Sequence, residues 1–168
     1  MRKVGIKLKV PSKMKPEGYI DVATVVKTSN NDGVDCDCGF AVLNKDVMEH
    51  EVQKYETVCG IAESKECDTV YFHGGISQIV NCSILSTHFC CWVEHSDKRR
   101  KYKCQKYLSK KSERGDSGAL LIKKADDKAV GLVFACAEID CDGIEGGIAS
   151  PISKVQEYLE VTLITKIQ

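Results

Sequence analysis

Polar and apolar residues alternate near the start of the chain: Val4, Ile6, Leu8 and Val10 are separated by Gly5, Lys7 and Lys9. A period of two puts one face of a strand in a core and the other in water. Pro11 and Pro16 then bound a polar connection. Residues 19–26 are β-branched and apolar except for Asp21, and predict a second strand. Ser29-Asn30-Asn31-Asp32-Gly33 reads as a turn or linker. Residues 40–43 predict a strand and 47–55 a short helix. Further strands are predicted at 69–72, 79–85 and 89–93, the first two joined through His73-Gly74-Gly75. The polar stretch 96–114 carries Tyr102, Cys104, Tyr107 and Leu108, which predict one edge strand inside a basic loop. Two apolar runs, 119–122 and 129–135, flank a charged hairpin tip at 123–128. At the end Ser150 is placed to cap a helix whose first residue is Pro151. Ile152, Val155, Leu159 and Leu163, with Tyr158 beside them, fall on one face of it. Many short strands separated by turns predict an all-β barrel.

Composition narrows the partners. Lys+Arg and Asp+Glu number 24 each, so no global field favours nucleic acid or an anionic membrane. The local cluster Lys98-Arg99-Arg100-Lys101-Tyr102-Lys103 reads as a solvated loop rather than a nucleic-acid surface. No run of about 18 apolar residues predicts a membrane span. The first residues lack the apolar core of a signal peptide, and the expectation is a cytoplasmic protein. Ten cysteines would ordinarily suggest disulfides, but the expected compartment argues for free thiols. Paired zinc-ligand spacing is absent, since Cys36-Asp37-Cys38 is too tight and Cys90-Cys91 is adjacent. No metal and no cofactor are expected.

The candidate chemistry lies at Gly115-Asp116-Ser117-Gly118, a polar loop running into an apolar strand. On residue types alone it is a good turn. It is also a frame for a nucleophile. Two glycines allow a tight turn and a close approach, and the N–H groups of Gly115 and Ser117 beside the hydroxyl are what a developing oxyanion needs. The succession that follows resembles the C-terminal end of trypsin-like, chymotrypsin-fold serine peptidases. Gly131-Leu132-Val133 stands where those proteins have a Gly-Ile-Val-type strand. Gly147-Ile148-Ala149-Ser150-Pro151-Ile152 stands where they have a Gly-x-x-x-x-Ile/Val strand before a closing helix. The turn at 72–78 is similar to one early in the second barrel of microbial relatives, although Asn81 departs from the usual glycine.

The resemblance implies Ser117 as nucleophile, Gly115 and Ser117 as oxyanion donors, and Leu132, Val133 and Phe134 as a cleft-lining strand. Asp21, in Ile20-Asp21-Val22-Ala23, matches the family's Asp-Ile/Val-Ala strand that carries the triad acid. It precedes Ser117 by 96 positions, against roughly 93 in the Ser-His-Asp template. An aspartate on the solvent face of an edge strand would fit the same residues. The family's histidine lies roughly 45 positions before its aspartate, and no histidine precedes Asp21 here. His50, His73, His88 and His95 all follow it. In secreted relatives the acid before the serine pairs with a freed N-terminus, and Asp116 has no such partner in sight. Glu113 stands where those relatives have a cysteine.

The expected architecture is all-β and trypsin-like. Residues 1–32 are a remnant of the first barrel carrying Asp21 and a linker, and 33–168 form the second barrel, the serine loop and the terminal helix. The expected function is peptide-bond hydrolysis through Ser117, weak or absent in this chain alone because an upstream segment with the histidine is missing. The partners are a polypeptide substrate or peptide ligand, with self-association or a missing N-terminal segment covering exposed apolar surface. The competing readings are a non-catalytic trypsin-fold binding module and a thiol-rich metal or redox protein.

Overall fold

A computed structural model describes residues 6–11, 19–29, 35–44, 58–95, 98–138 and 145–163. The described residues form nine strands and one helix. Strands β1 (Lys7–Pro11), β2 (Tyr19–Thr28) and β3 (Gly39–Leu43) make an antiparallel sheet with β2 in the middle. Strands β4 (Thr69–Gly74), β5 (Gln78–His95), β6 (Lys98–Leu108), β7 (Leu120–Lys123), β8 (Lys128–Glu138) and β9 (Glu145–Pro151) close into a barrel of order β4-β5-β6-β9-β8-β7. The small sheet therefore extends to residue 43, and the barrel begins at Thr69. Residues 30–33 of the turn or linker expected at 29–33, and the helix expected at 47–55, lie outside the described residues.

The barrel interior follows from alternation. In β4, Val70, Phe72 and Gly74 point inward while Thr69, Tyr71 and His73 are more exposed. Val70 and Phe72 meet Ile84, Leu108, Leu121, Val130, Val133 and Ala149 in one buried cluster. A second cluster lies under the long β5–β6 hairpin, where Cys91, Tyr102, Tyr107 and Ile148 are buried. Phe89 stacks on Tyr107 there, with centroids 4.5 Å apart.

Two expectations for this region are corrected. The runs at 79–85 and 89–93 are one strand, because bulges at Ile84/Ser86, Ser86/Phe89 and Phe89/Cys91 carry the ladder through the polar residues between them. The strand inside 96–114 is not an edge. β6 pairs with β5 on one side and with β9 on the other, and Gln105, Lys106, Tyr107 and Leu108 are all buried. Pro11, expected to bound the polar connection, is the last residue of the edge strand β1.

Helix α1 (Ile152–Leu159) buries Ile152, Val155 and Leu159 as expected, but it ends before Leu163, which packs against the same cluster from the segment after it. Its start differs. Pro151 holds the cap position and no side chain caps the helix. Ser150 is still in β9, its hydroxyl donating to Gln105 Oε1 at 3.0 Å and accepting from the Asp37 N–H at 3.1 Å. Gln105 in turn donates to the carbonyls of Asp35 and Lys103, at 2.7 and 2.6 Å. This buried polar chain ties residues 35–38 to the barrel.

The helix ties down the small sheet from the other side. Lys27 Nζ lies 2.8 Å from Glu160 Oε1 and 5.1 Å from the Tyr158 ring centre, and the Tyr158 hydroxyl donates to Thr28 O at 2.9 Å. Replacing Tyr158 by Phe leaves the ring and removes that donor. Tyr158→Phe should cost about 1 kcal/mol, as is typical of one intramolecular hydrogen bond. Urea unfolding should show it as a lower midpoint with an unchanged slope.

Candidate active site

Between β6 and β7 the chain folds as a series of short turns. Asp116 N–H donates to Glu113 O and Ala119 N–H to Asp116 O, each at 3.0 Å. Gly118 N–H donates to Val133 O at 2.8 Å, answered by Val133 N–H to Ala119 O at 2.9 Å, which fastens the loop to β8. Gly115 takes φ +116, a conformation that favours glycine, and a Cβ there would stand 2.7 Å from Ile76 Cγ1.

Asp116 is the buried anchor of this loop, at 1% exposure. Its Oδ1 accepts from the N–H groups of Ile76 and Ser77, both at 3.0 Å. Its Oδ2 accepts from the Ser77 hydroxyl at 2.6 Å and from Glu113 N–H at 2.8 Å. Burial pushes the carboxyl pKa up, but the hydrogen bonds from Ser77, Glu113 and Ile76 outweigh it and hold it down at about 2. Sequence reasoning found the acid and the turn at 72–78 separately and did not join them. The signal available was Ser77, the hydroxyl residue of that turn, about forty positions away from the acid it clamps. A freed N-terminus is not needed here, because four donors from within the fold fill that place.

Ser117 is exposed, and its Oγ donates to Phe134 O at 3.1 Å. Among the described residues neither the Gly115 N–H nor the Ser117 N–H has an acceptor. An exposed hydroxyl flanked by two uncommitted backbone donors is suited to hold a carbonyl while charge develops on its oxygen. The strand expected to line the cleft contributes unequally. Val133 is fully buried in the barrel core, and Leu132 packs toward α1. Only Phe134 touches the serine, through its carbonyl, while its ring packs on Tyr102 at 5.1 Å. Alternation explains this, since consecutive side chains on one strand cannot all face one cleft. Beyond Val133, which is bonded to Gly118 and Ala119, β8 pairs with no strand but β9, and its other edge runs beside the serine loop, where Ser112 Oγ also donates to Ala135 O at 2.9 Å.

Asp21 lies on β2, partly exposed, and forms an ion pair with Lys7 at 2.9 Å. Neither it nor a histidine contacts Ser117, whose hydroxyl has Phe134 O as its one partner among the described residues. His73 Nε2 lies 3.3 Å from Gln78 Oε1, and His88 Nδ1 lies 3.0 Å from Thr87 Oγ1. His50 and the side chain of His95 lie outside the described residues. Nine of the ten cysteines are described, and they form no disulfide with one another. Cys36 and Cys38 come nearest, with sulfurs 3.6 Å apart. Among the described residues no three His, Cys, Asp or Glu side chains are grouped to hold a metal, and no helix is long and apolar enough to cross a membrane.

Solved structures similar to this chain are serine proteases. Nocardiopsis protease matches at 16% identity with a TM-score of 0.68, over 97% of this chain and 80% of that one. Thermobifida fusca protease A matches at 19% identity and TM-score 0.67, over 86% and 75%. A Cellulomonas bogoriensis chymotrypsin matches at 17% identity and TM-score 0.65, over 86% and 76%. No protein-family model and no curated protein sequence matches the chain. At these identities the likeness establishes the fold: all-β and trypsin-like, with a closed barrel, a three-stranded sheet and a C-terminal helix.

Proposed function

We propose that this chain carries the acyl-binding part of a serine endopeptidase site and turns over poorly by itself. The observation that carries the reading is the exposed Ser117 hydroxyl between two glycines, beside the uncommitted N–H groups of Gly115 and Ser117. An extended peptide adds to β8 beyond Val133 by backbone hydrogen bonds, displacing the Ser117 and Ser112 hydroxyls from the Phe134 and Ala135 carbonyls, with its own carbonyl oxygen at those two donors. Ser117 is the nucleophile. Asp21 is the acid of the same site, with its carboxylate paired to Lys7. The base that would join them is absent from the described neighbours of Ser117.

Fluorophosphonate treatment followed by intact mass and peptide mapping tests this. Slow labelling directed to Ser117, and lost in Ser117→Ala, supports the reading. A fully folded protein that acquires no adduct on Ser117 refutes it. Asp21 adds a finer check. With no histidine among the described residues connecting it to Ser117, Asp21→Asn should leave the labelling rate within about twofold of wild type, whereas loss of the acid in a working triad costs about 10⁴.

A second reading is favoured by one contact. The Ser117 proton is spent on Phe134 O rather than on a base, which suits a module that binds peptides without cleaving them. Such a module keeps its peptide affinity in Ser117→Ala and shows no adduct.

A further inference from the structure

A second site, sharing no lining residue with the Ser117 loop, opens where β6 passes the start of α1. The cavity there has a volume of about 270 Å³ and is lined by Lys106, Lys154, Ser64 and Ser153, together with Glu63, Thr87, His88 and Cys104. Lys106 is the unusual member. It is a β6 residue opposite Ala149 of β9, and only 2% of it is exposed. Its Nζ donates to Ser64 Oγ at 2.6 Å, its one hydrogen-bond partner among the described residues. An ammonium has three N–H groups. Two of them are left without a protein acceptor in a side chain almost wholly out of water, a costly arrangement unless something else accepts them. No carboxylate forms an ion pair with it: the nearby Asp68 is bound to Lys123 at 3.1 Å and to the Lys65 N–H at 2.9 Å. Burial lowers the Lys106 pKa, while the charges of Glu63 and Asp68 oppose that shift.

The other wall of the cavity is the beginning of α1, through Pro151, Ser153 and Lys154. The first N–H groups of a helix have no partner within it and carry its positive end. Here the residue best suited to cap them, Ser150, is drawn away to Gln105, and no acidic residue lies in the first turn. Lys154 adds a second ammonium, held loosely at 3.4 Å from Lys103 O. Ser64 accepts from Lys106, so its own hydroxyl proton is free to donate. On the side formed by Lys106, Ser64 and Lys154 donors therefore outnumber acceptors, and Glu63 is the one carboxylate in the lining.

We propose that this cavity binds the phosphate group of a small phosphate ester. A tetrahedral dianion supplies acceptors to Lys106, Lys154, Ser64 and Ser153 together, and its charge is the one favoured at a helix N-terminus. The volume equals that of roughly nine waters, more than a bare phosphate fills, and the surplus accommodates an organic substituent. Glu63, an exposed carboxylate in the lining, leaves the charge balance favourable to a single phosphate rather than to a polyanion.

The test is isothermal titration of the purified chain with sodium phosphate and, separately, glycerol phosphate, against sodium chloride and sodium sulfate at equal ionic strength. Saturable binding with Kd below about 1 mM, tighter for the ester, is expected. Lys106→Met removes the ammonium and keeps the volume, and Lys154→Ala removes the outer charge. Each should weaken binding about tenfold or more, as loss of a charge-assisted hydrogen bond does. Ser117→Ala should bind as wild type does, which separates this site from the serine loop. Should Lys106→Met not fold, Lys154→Ala decides the matter alone. No saturable heat up to about 20 mM, a response shared by chloride, or binding unchanged in every folded variant would each overturn the proposal.

Discussion

Given a peptide ester, the purified chain should turn over on the order of 10⁶-fold more slowly than a complete serine peptidase. A serine hydroxyl near neutral pH is a weak nucleophile until a base takes its proton. In this structure the proton points at Phe134 O, an acceptor that cannot remove it. What remains is the contribution of oxyanion donors and substrate binding, about 10³–10⁴ over the uncatalysed reaction. In the proposed reading the Gly115 and Ser117 N–H groups would supply the donors, and the β8 edge beside the serine loop the binding. Because base and nucleophile act as a unit, removing Ser117 from a site with no base among its described neighbours should cost little more. Ser117→Ala is thus expected to lie within about tenfold of wild type in ester hydrolysis, while losing all fluorophosphonate labelling. Ordinary peptidase rates abolished by Ser117→Ala would show instead that a base within the chain reaches the serine.

How far the sequence alone leads varies along the chain, for physical reasons. Strands with one wet face were legible, because alternation at 69–74 and the charged tip at 123–128 are local signals. β6 was misread because its buried residues do not alternate. Cys104 takes φ +52, and residues 105–108 are then all buried, with the aliphatic stem of Lys106 among them. A strand so rich in lysine and arginine looks solvated until β9 is known to close the barrel against it. Ser150 was misplaced for a related reason. A serine before a proline is a good cap by local rules, yet here a buried glutamine forty-five positions earlier competes for its hydroxyl. The serine loop was the most legible part, since its glycines and its strand come in sequence. Its anchor was not, because the partners of Asp116 come from the β4–β5 turn.

That anchor carries a large stability effect as well. Asp116→Ala should destabilise the fold by about 3–5 kcal/mol, since it strands three backbone N–H groups and one hydroxyl in a buried place, and each unsatisfied donor costs about 1–3 kcal/mol before water relieves some of them. The pH dependence follows with a definite sign. The folded carboxyl titrates at about 2 against 3.8 for an ordinary aspartate. Its contribution of about 2 kcal/mol is therefore full above about pH 4 and lost as pH falls through 2. Asp116→Ala should flatten the acid limb of the stability curve by that amount. Gly74 gives an independent check, because a Cβ there would press into the Asp116 carboxylate. Gly74→Ala should cost about 2–4 kcal/mol in the wild-type chain, by overpacking and displacement of the clamp. In the Asp116→Ala background the obstructing carboxylate is gone, and the same change should cost under about 1 kcal/mol. Denaturant unfolding of the four proteins closes the double-mutant cycle. Additive costs would show that Gly74 and Asp116 do not act on one another, and that the serine loop is held in place by something other than this clamp.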